Sequence, residues 1–311
     1  MAAVDLYLMS PPGPGWALRG RANFRSEDAA AVNPAQALVE WIALADAIVA
    51  RGGRVVCLLP PDDSSLTGLP YAAECGQVVA PRVSGERASF LLPNMKPAHR
   101  QGERALWKDA AEAMGLATVD VDGTWEAQGD VAYFRETPIL FFGGRTTERG
   151  ARDAARRLAK TARDVLFVEI HEPAFHGNMA LLPLPHADRA LVCPDVLGGG
   201  SLVRLESVFG AGSLLHVSVE EVRSYATNGL PVGADVLAPD VTPARVQELL
   251  RSLGLSVVPL TMRELCEKGG GAARCLVSHA RLEESSFRLP ARLDYLALRD
   301  DLVQRCATGR A

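Results

Sequence analysis

Short apolar runs and longer helical patterns alternate from one end of the chain to the other. Residues 54–59, 88–92 and 164–168 are brief apolar stretches bounded by Gly, Pro or charge, which predicts buried strands. Residues 35–50 predict a helix: Asn33 can cap it, Pro34 suits its first turn, and Arg51-Gly52-Gly53 ends it. Residues 146–162 predict an amphipathic helix with Leu158 on its inner face. Residues 242–253 repeat the form, with Thr242 capping, Pro243 opening and Gly254 closing the helix. Segments 131–134 and 139–142 lie only a few residues apart, as do 230–233 and 236–238, so hairpins are interspersed with helical crossovers. Helices recur at roughly 50 to 60 residues without evident sequence identity between units, which is a structural period and not a sequence repeat.

Composition narrows the picture. The chain has 311 residues, 48% of them apolar, enough for a full core. Pro and Gly are spread evenly, so no linker divides it, and one domain spanning 1–311 is expected. Its charged last segment, 282–311, is expected to pack on the outside as a C-terminal extension. The net charge is -4 with Lys and Arg scattered, which argues against nucleic acid or an anionic membrane as the main partner. No apolar run approaches the roughly 18 residues of a spanning helix, and no secretory leader is visible. Six dispersed cysteines (57, 75, 193, 266, 275 and 306) show neither a CxxC pair nor metal-ligand spacing. Free thiols in a reduced, cytoplasmic compartment are the natural expectation. Self-association into a homo-oligomer is compatible with the sequence.

The chemistry concentrates in three places. Gly269-Gly270-Gly271-Ala272-Ala273-Arg274-Cys275 delivers a thiol at the start of an apolar, strand-like run. Trp125-Glu126-Ala127-Gln128-Gly129-Asp130 sets two carboxylates four residues apart, and Phe175-His176-Gly177-Asn178 supplies an imidazole. A late Cys with an earlier His and carboxylate is the equipment of thiol nucleophilic catalysis. Most cysteines are small buried hydrophobes, and that reading fits the other five, including Cys266 one helical turn after Met262. Arg274 beside Cys275 would favour the thiolate. His171, at the end of the 164–170 strand, is the rival of His176. His279 would share a strand face with Cys275 about 13 Å away, at 3.3 Å per residue. Glu126 could equally be a solvated turn carboxylate, and Asp130 could serve only to brace the turn. Gly198-Gly199-Gly200 lacks a following Lys-Ser/Thr, and no GxGxxG follows the first strand, so nucleotide-binding loops are not indicated.

Taken in order, these motifs resemble the guanidine-modifying (pentein) superfamily of arginine deiminases, dimethylarginine dimethylaminohydrolases and amidinotransferases. The C-terminal run resembles its catalytic-cysteine segment, and 126–130 its Glu-x-x-Gly-Asp motif. Residues 175–178 resemble its His-x-Asp motif, with Asn178 where Asp normally stands. Leu8-Met9-Ser10-Pro11-Pro12 and Arg21-Ala22-Asn23 resemble the first strand and its Asn-bearing loop, and Ala226-Thr227-Asn228-Gly229-Leu230 the later Asn-bearing strand. The resemblance covers roughly residues 5 to 280. It implies a five-bladed α/β propeller built from ββαβ units around a central site.

It further implies a cofactor-independent enzyme with Cys275 as nucleophile, His176 as acid and base, and Glu126 orienting the imidazole. Glu74 and Asn178 would receive the guanidine, Arg145 the α-carboxylate, and Asn23, Asn228 and Asp130 would complete the substrate site. A planar guanidinium is read by fixed acceptors in its own plane. Asn178 in place of an acid therefore points to an N-substituted or less basic guanidine as the small-molecule partner. The expected reaction is hydrolysis to a citrulline-like product. Transfer of the amidino group to an amine uses the same parts, and a catalytically silent propeller that binds an arginine-like ligand or a protein is the rival of another class.

Overall fold

A computed structural model describes residues 3–18, 29–61, 65–81, 87–158 and 165–308. Asn23, Asp164 and the last part of the expected 146–162 helix lie outside the described residues. In chain order the elements are β1 (Ala3–Met9), α1 (Pro34–Val49), β2 (Arg54–Cys57), β3 (Gln77–Val79), β4 (Ser89–Leu91), α2 (Glu103–Ala113), β5 (Ala117–Val119), β6 (Val131–Phe134), β7 (Thr137–Phe142), α3 (Glu148–Leu158) and β8 (Leu166–Glu169). There follow β9 (Leu181–Leu184), β10 (Arg189–Val192), α4 (Ser201–Phe209), β11 (Leu214–His216), α5 (Val219–Arg223), β12 (Leu230–Val232), β13 (Asp235–Pro239), α6 (Ala244–Ser252), β14 (Ser256–Leu260), β15 (Ser278–Glu283) and α7 (Tyr295–Thr308).

Five sheets of three strands result: β3-β4-β5, β6-β7-β8, β9-β10-β11, β12-β13-β14 and β15-β1-β2. In each, an antiparallel pair is followed by a helix and a third strand parallel to the second, which is the expected ββαβ unit. The fifth unit joins the two ends of the chain, with β15 antiparallel to β1 and β2 parallel to it. First strands begin at 77, 131, 181, 230 and 278, a cleaner recurrence than that of the helices, which begin at 34, 103, 148, 201 and 244. Strands this short cannot bury a sheet face alone. They pack on helices whose inner faces carry Trp41, Trp107, Leu205 and Leu250, all buried. Among the described residues no helix is long and apolar enough to cross a membrane.

Local chemistry explains most boundaries and corrects two. Asn33 accepts the Gln36 N–H at 3.2 Å and so caps α1. Thr242 does not cap α6. Its hydroxyl is buried without a partner, and Pro243 takes the cap position, so the helix begins at Ala244. Cys275 does not start a strand either. It closes a turn through its N–H to Ala272 O at 2.9 Å, and β15 begins three residues later. The expected extension overlaps the end of β15. Beyond it, Tyr295 on α7 is fully buried and donates to Asp46 on α1 at 2.8 Å, where Arg299 joins as an ion pair.

Candidate active site

Each ββαβ unit presents one tight turn immediately before its first strand, and the candidate residues sit there. Glu74, Gln128, Asn178, Thr227 and Cys275 are equivalent, each three places ahead of its strand: 74 before 77, 128 before 131, 178 before 181, 227 before 230, 275 before 278. The turns also grip one another in a closed ring. Ala73 N–H donates to Cys275 O at 3.0 Å, and Arg274 N–H to Asn228 O at 3.1 Å. The Thr227 hydroxyl donates to Met179 O at 2.7 Å, and Gly177 N–H to the Asp130 carboxylate at 2.8 Å. The ring closes where Gly129 meets Glu74: a Cβ on Gly129 would come within 3.1 Å of both Glu74 Cγ and the His176 ring. Symmetry of the backbone thus brings chemistry from distant parts of the sequence to one centre.

On this ring opens a pocket, partly open to solvent, whose wall includes Glu74, Arg100, Arg145, His176, Asn228 and Cys275. His176 is buried, with Nε2 2.7 Å from Glu126 Oε2 and Nδ1 3.6 Å from Glu74 Oε1. Burial by itself favours the neutral ring, but Asp130, Glu74 and Glu126 outweigh it and raise the His176 pKa. Burial likewise opposes ionisation of Glu126. The hydrogen bond and charge of His176, helped by Arg145 and Arg100, nevertheless hold that carboxyl down at about 2. Glu126 is therefore no solvated turn carboxylate: it is fully buried, and its second oxygen accepts the Lys96 N–H at 2.9 Å.

Cys275 is buried at the pocket floor, and burial, then the Glu74 charge, pushes its thiol up to about 12. Amide groups partly offset this. Asn178 Nδ2 lies 3.5 Å from Sγ, and Asn228 Oδ1 accepts the Cys275 N–H at 3.3 Å. Arg274 is turned away from the sulfur's pocket, bonding Val277 O and Gln128 Oε1 at 3.0 and 3.1 Å. Its charge still favours the Cys275 thiolate, as the sequence leads one to expect, but burial and Glu74 outweigh it.

The remaining predicted residues divide. Arg145 is in the wall, its guanidinium 4.6 Å from the Phe175 ring centre and 3.7 Å from Glu126 Oε2. Asn228 is in the wall too, although its carbonyl oxygen is used on backbone. Asp130 stands behind the wall with both oxygens engaged, by Gly177 N–H and by the Thr146 hydroxyl at 2.6 Å, and burial pushes its carboxyl up to about 6. That is a brace, not a ligand contact. Asn178 also stands behind the wall, directed at sulfur. His171 is exposed, its ring on Glu172 O at 3.1 Å, and His279 pairs with Asp5 at 2.9 Å. Asn23 lies outside the described residues. Among the described residues no three His, Cys, Asp or Glu side chains converge as metal ligands.

Sequence reasoning missed Arg100. Buried in the wall, it pairs with Glu74 on one side and with both Glu103 oxygens, at 2.9 and 2.8 Å, on the other. It also donates to Gly68 O at 2.9 Å and Tyr71 O at 3.2 Å. Gly68 makes room for it, since a Cβ there would sit 2.2 Å from Arg100 Nε. An Arg and a Glu three apart read as a solvated helix pair, so nothing in the sequence signalled their burial.

Neither a protein-family model nor a curated protein sequence matches the chain. Solved structures do. The N-terminal domain of ArgZ, an arginine dihydrolase from the ornithine–ammonia cycle in Cyanobacteria, superposes with a TM-score of 0.79 at 20% identity, over 88% of this chain and 97% of that one. Unliganded AgrE gives 0.76 at 20% identity, covering 89% of this chain and 40% of that longer one. A dimethylarginine dimethylaminohydrolase carrying a 4-chloro-2-hydroxymethylpyridine adduct gives 0.65 at 18% identity, over 88% and 99%. What is shared at this identity is the fold, the five-bladed α/β propeller of the pentein enzymes.

Proposed function

We propose that this chain is a cysteine-dependent hydrolase of the guanidine group of arginine or an N-substituted arginine. The observation that carries this reading is the buried Glu126–His176 pair, 2.7 Å long, opening on the pocket that Cys275 floors. The fold likeness to an arginine dihydrolase captured with its substrate supports it. Burial favours the protonated form of the thiol, and the surrounding carboxylates favour the charged form of the imidazole. An arriving guanidinium brings positive charge beside the sulfur and favours the thiolate, the thiol proton passing to solvent and the imidazole keeping its own.

The Cys275 sulfur then attacks the guanidine carbon. The carbon–nitrogen bond breaks, and the leaving amine takes a proton from His176 through Nδ1, the nitrogen that Glu126 does not hold. The product of this half is an amidino-thioether on Cys275. Water, deprotonated by the now neutral His176, adds to the same carbon. The carbon–sulfur bond breaks and a ureido, citrulline-like product leaves. An amine in place of that water would make the enzyme an amidinotransferase, with the same residues in the same roles. Arg145 is proposed to hold the substrate carboxylate as a bidentate fork, with Asn23 and Asn228 completing the substrate site.

The electrostatics support a substituted or less basic guanidine. Among the described wall residues Glu74 is the one carboxylate, and Arg100 already occupies its Oε2. Its other oxygen, Oε1, lies 3.6 Å from His176 Nδ1. The test is a panel of arginine, N-methylated and N-hydroxylated arginines and other guanidines, with and without amine acceptors, read by mass spectrometry. Ureido products from a modified arginine at the highest kcat/KM are expected. Amidino transfer as the main outcome, or turnover of none, contradicts the proposal.

A further inference from the structure

Asn178 is the place where the chain leaves the motif it otherwise resembles, and its surroundings are unusual. The side chain is 6% exposed, its Nδ2 is 3.5 Å from Cys275 Sγ, and its Oδ1 is buried without a hydrogen-bond partner. Leaving a buried carbonyl oxygen unpaired is costly, and such atoms are rare in folded proteins. An amide, however, has two ends of the same shape, and a half-turn of its plane exchanges them. In one orientation an N–H points at sulfur and can stabilise a thiolate. In the other, the carbonyl oxygen points at sulfur and can accept the S–H of a thiol. The atom that has no partner in one state is the atom required in the other.

We propose that Asn178 serves the sulfur and not the substrate: its amide turns with the ionisation of Cys275, accepting from the thiol through Oδ1 and donating to the thiolate through Nδ2. The inference rests on the reading of Cys275 as nucleophile. The groups facing the sulfur are the Glu74 carboxylate, the Arg274 guanidinium, the Tyr71 phenol, and His176 across the pocket, with Asn228 held on the backbone N–H. Glu74 opposes the thiolate, while the Asn228 side chain, the Arg274 charge and the Asn178 N–H favour it; of these, Asn178 is the amide whose N–H meets Sγ while its other end, Oδ1, is unpaired. A carboxylate at position 178 would be a second charge against the sulfur, and thiolate formation would then depend more heavily on a cationic substrate. Asn178 relaxes that dependence, which suits a less basic guanidine.

The experiment uses the whole chain and iodoacetamide, an uncharged alkylating reagent, so that no substrate charge enters. The rate of Cys275 alkylation is followed against pH by peptide mass spectrometry for the wild type and for Asn178→Leu, which keeps the approximate volume but can neither donate nor accept. At each pH where both proteins are folded, Asn178→Leu is expected to be alkylated about tenfold more slowly than the wild type, the equivalent of a shift of about one pH unit. Melting temperature should not fall, because the unpaired oxygen is also removed, and kcat should drop with little change in KM. If Asn178→Leu does not fold, Asn178→Ala takes its place with the same expectation. An unchanged alkylation profile together with a raised KM would make Asn178 a substrate contact and overturn the inference. A shifted profile in a protein that turns over no guanidine would uphold it while removing the proposed function.

Discussion

At the scale of the residue, His176 is the group on which both halves of the proposed reaction depend. Its ring is held between Glu126 at 2.7 Å and Glu74 at 3.6 Å, both buried, so the charged form is favoured and a proton is ready for the leaving amine. His176→Ala is predicted to lower kcat by about 10²–10⁴, the usual worth of general acid–base help. His171→Ala should leave kcat unchanged, since that ring faces solvent. Steady-state kinetics of the two variants checks this, and the reverse result places the acid on the wrong histidine. The meeting of Cys275 and His176 at one pocket, with Glu126 on the imidazole, was legible in the sequence because each sits in a short motif with an unusual combination of residue types. Arg100 was not, since its role comes from burial against Glu74 and Glu103, and burial of an ion pair leaves no mark in the sequence. Nor were the hydrogen bonds that Arg274 makes to Val277 O and Gln128 Oε1, which only the turn geometry shows.

At the scale of the element, the segment that delivers Cys275 is confined by its neighbours. It leaves a π-helical turn, Arg263–Lys268, whose first N–H groups are accepted by Glu40, and passes between Tyr71 and Tyr225. Tyr71 Oη donates to Leu265 O at 3.1 Å and Tyr225 Oη to Cys266 O at 2.6 Å. Of the three glycines, Gly270 alone has the left-handed φ, at 87°. The other two are glycine for space: a Cβ on Gly271 would meet the Tyr71 ring at 2.5 Å and Cys275 Cβ at 3.0 Å. Gly271→Ala is therefore predicted to displace the sulfur and cost about 10² in kcat, the order expected for a misplacement of about 1 Å. Its circular dichroism should match the wild type, so the loss would not be one of folding. The glycine run was conspicuous in the sequence, but as a flexible loop. Its actual reason, close passage past Tyr71, needed the facing turn to be seen. Hairpins such as β6–β7 were readable because both strands and their turn are local. The five-turn ring was not, because its hydrogen bonds join residues 46 to 202 positions apart.

At the scale of the whole molecule, the chain closes on itself, and we propose that 282–311 belongs to that closure within one domain. Tyr295, fully buried against Trp41 and bonded to Asp46, is the pin between α7 and α1. Tyr295→Ala should cost about 3–5 kcal/mol, as large buried aromatics do, measured by urea unfolding. A loss below about 1 kcal/mol would make α7 an appendage. The central charges also tie stability to pH. Glu126 is lowered to about 2 from 4.5, so its contribution is complete above pH 4.5 and is lost as pH falls toward 2. His176 is raised, so its contribution is complete below 6.5 and is lost as pH rises through its folded value. Asp130, raised to about 6, works against stability as it ionises between 3.8 and 6. Melting temperature followed from pH 6 to 2 should fall less steeply in Glu126→Gln than in the wild type, and parallel curves would show that the pair contributes nothing. The covalent mechanism itself is tested most directly by trapping. A guanidine substrate labelled with ¹³C at the central carbon is mixed with enzyme, quenched in acid and digested. The mechanism predicts the labelled amidino group on Cys275, with amine released in equal amount, and no adduct or turnover in Cys275→Ser. Turnover that persists in Cys275→Ser, or labelled product formed without any adduct on Cys275, would contradict it.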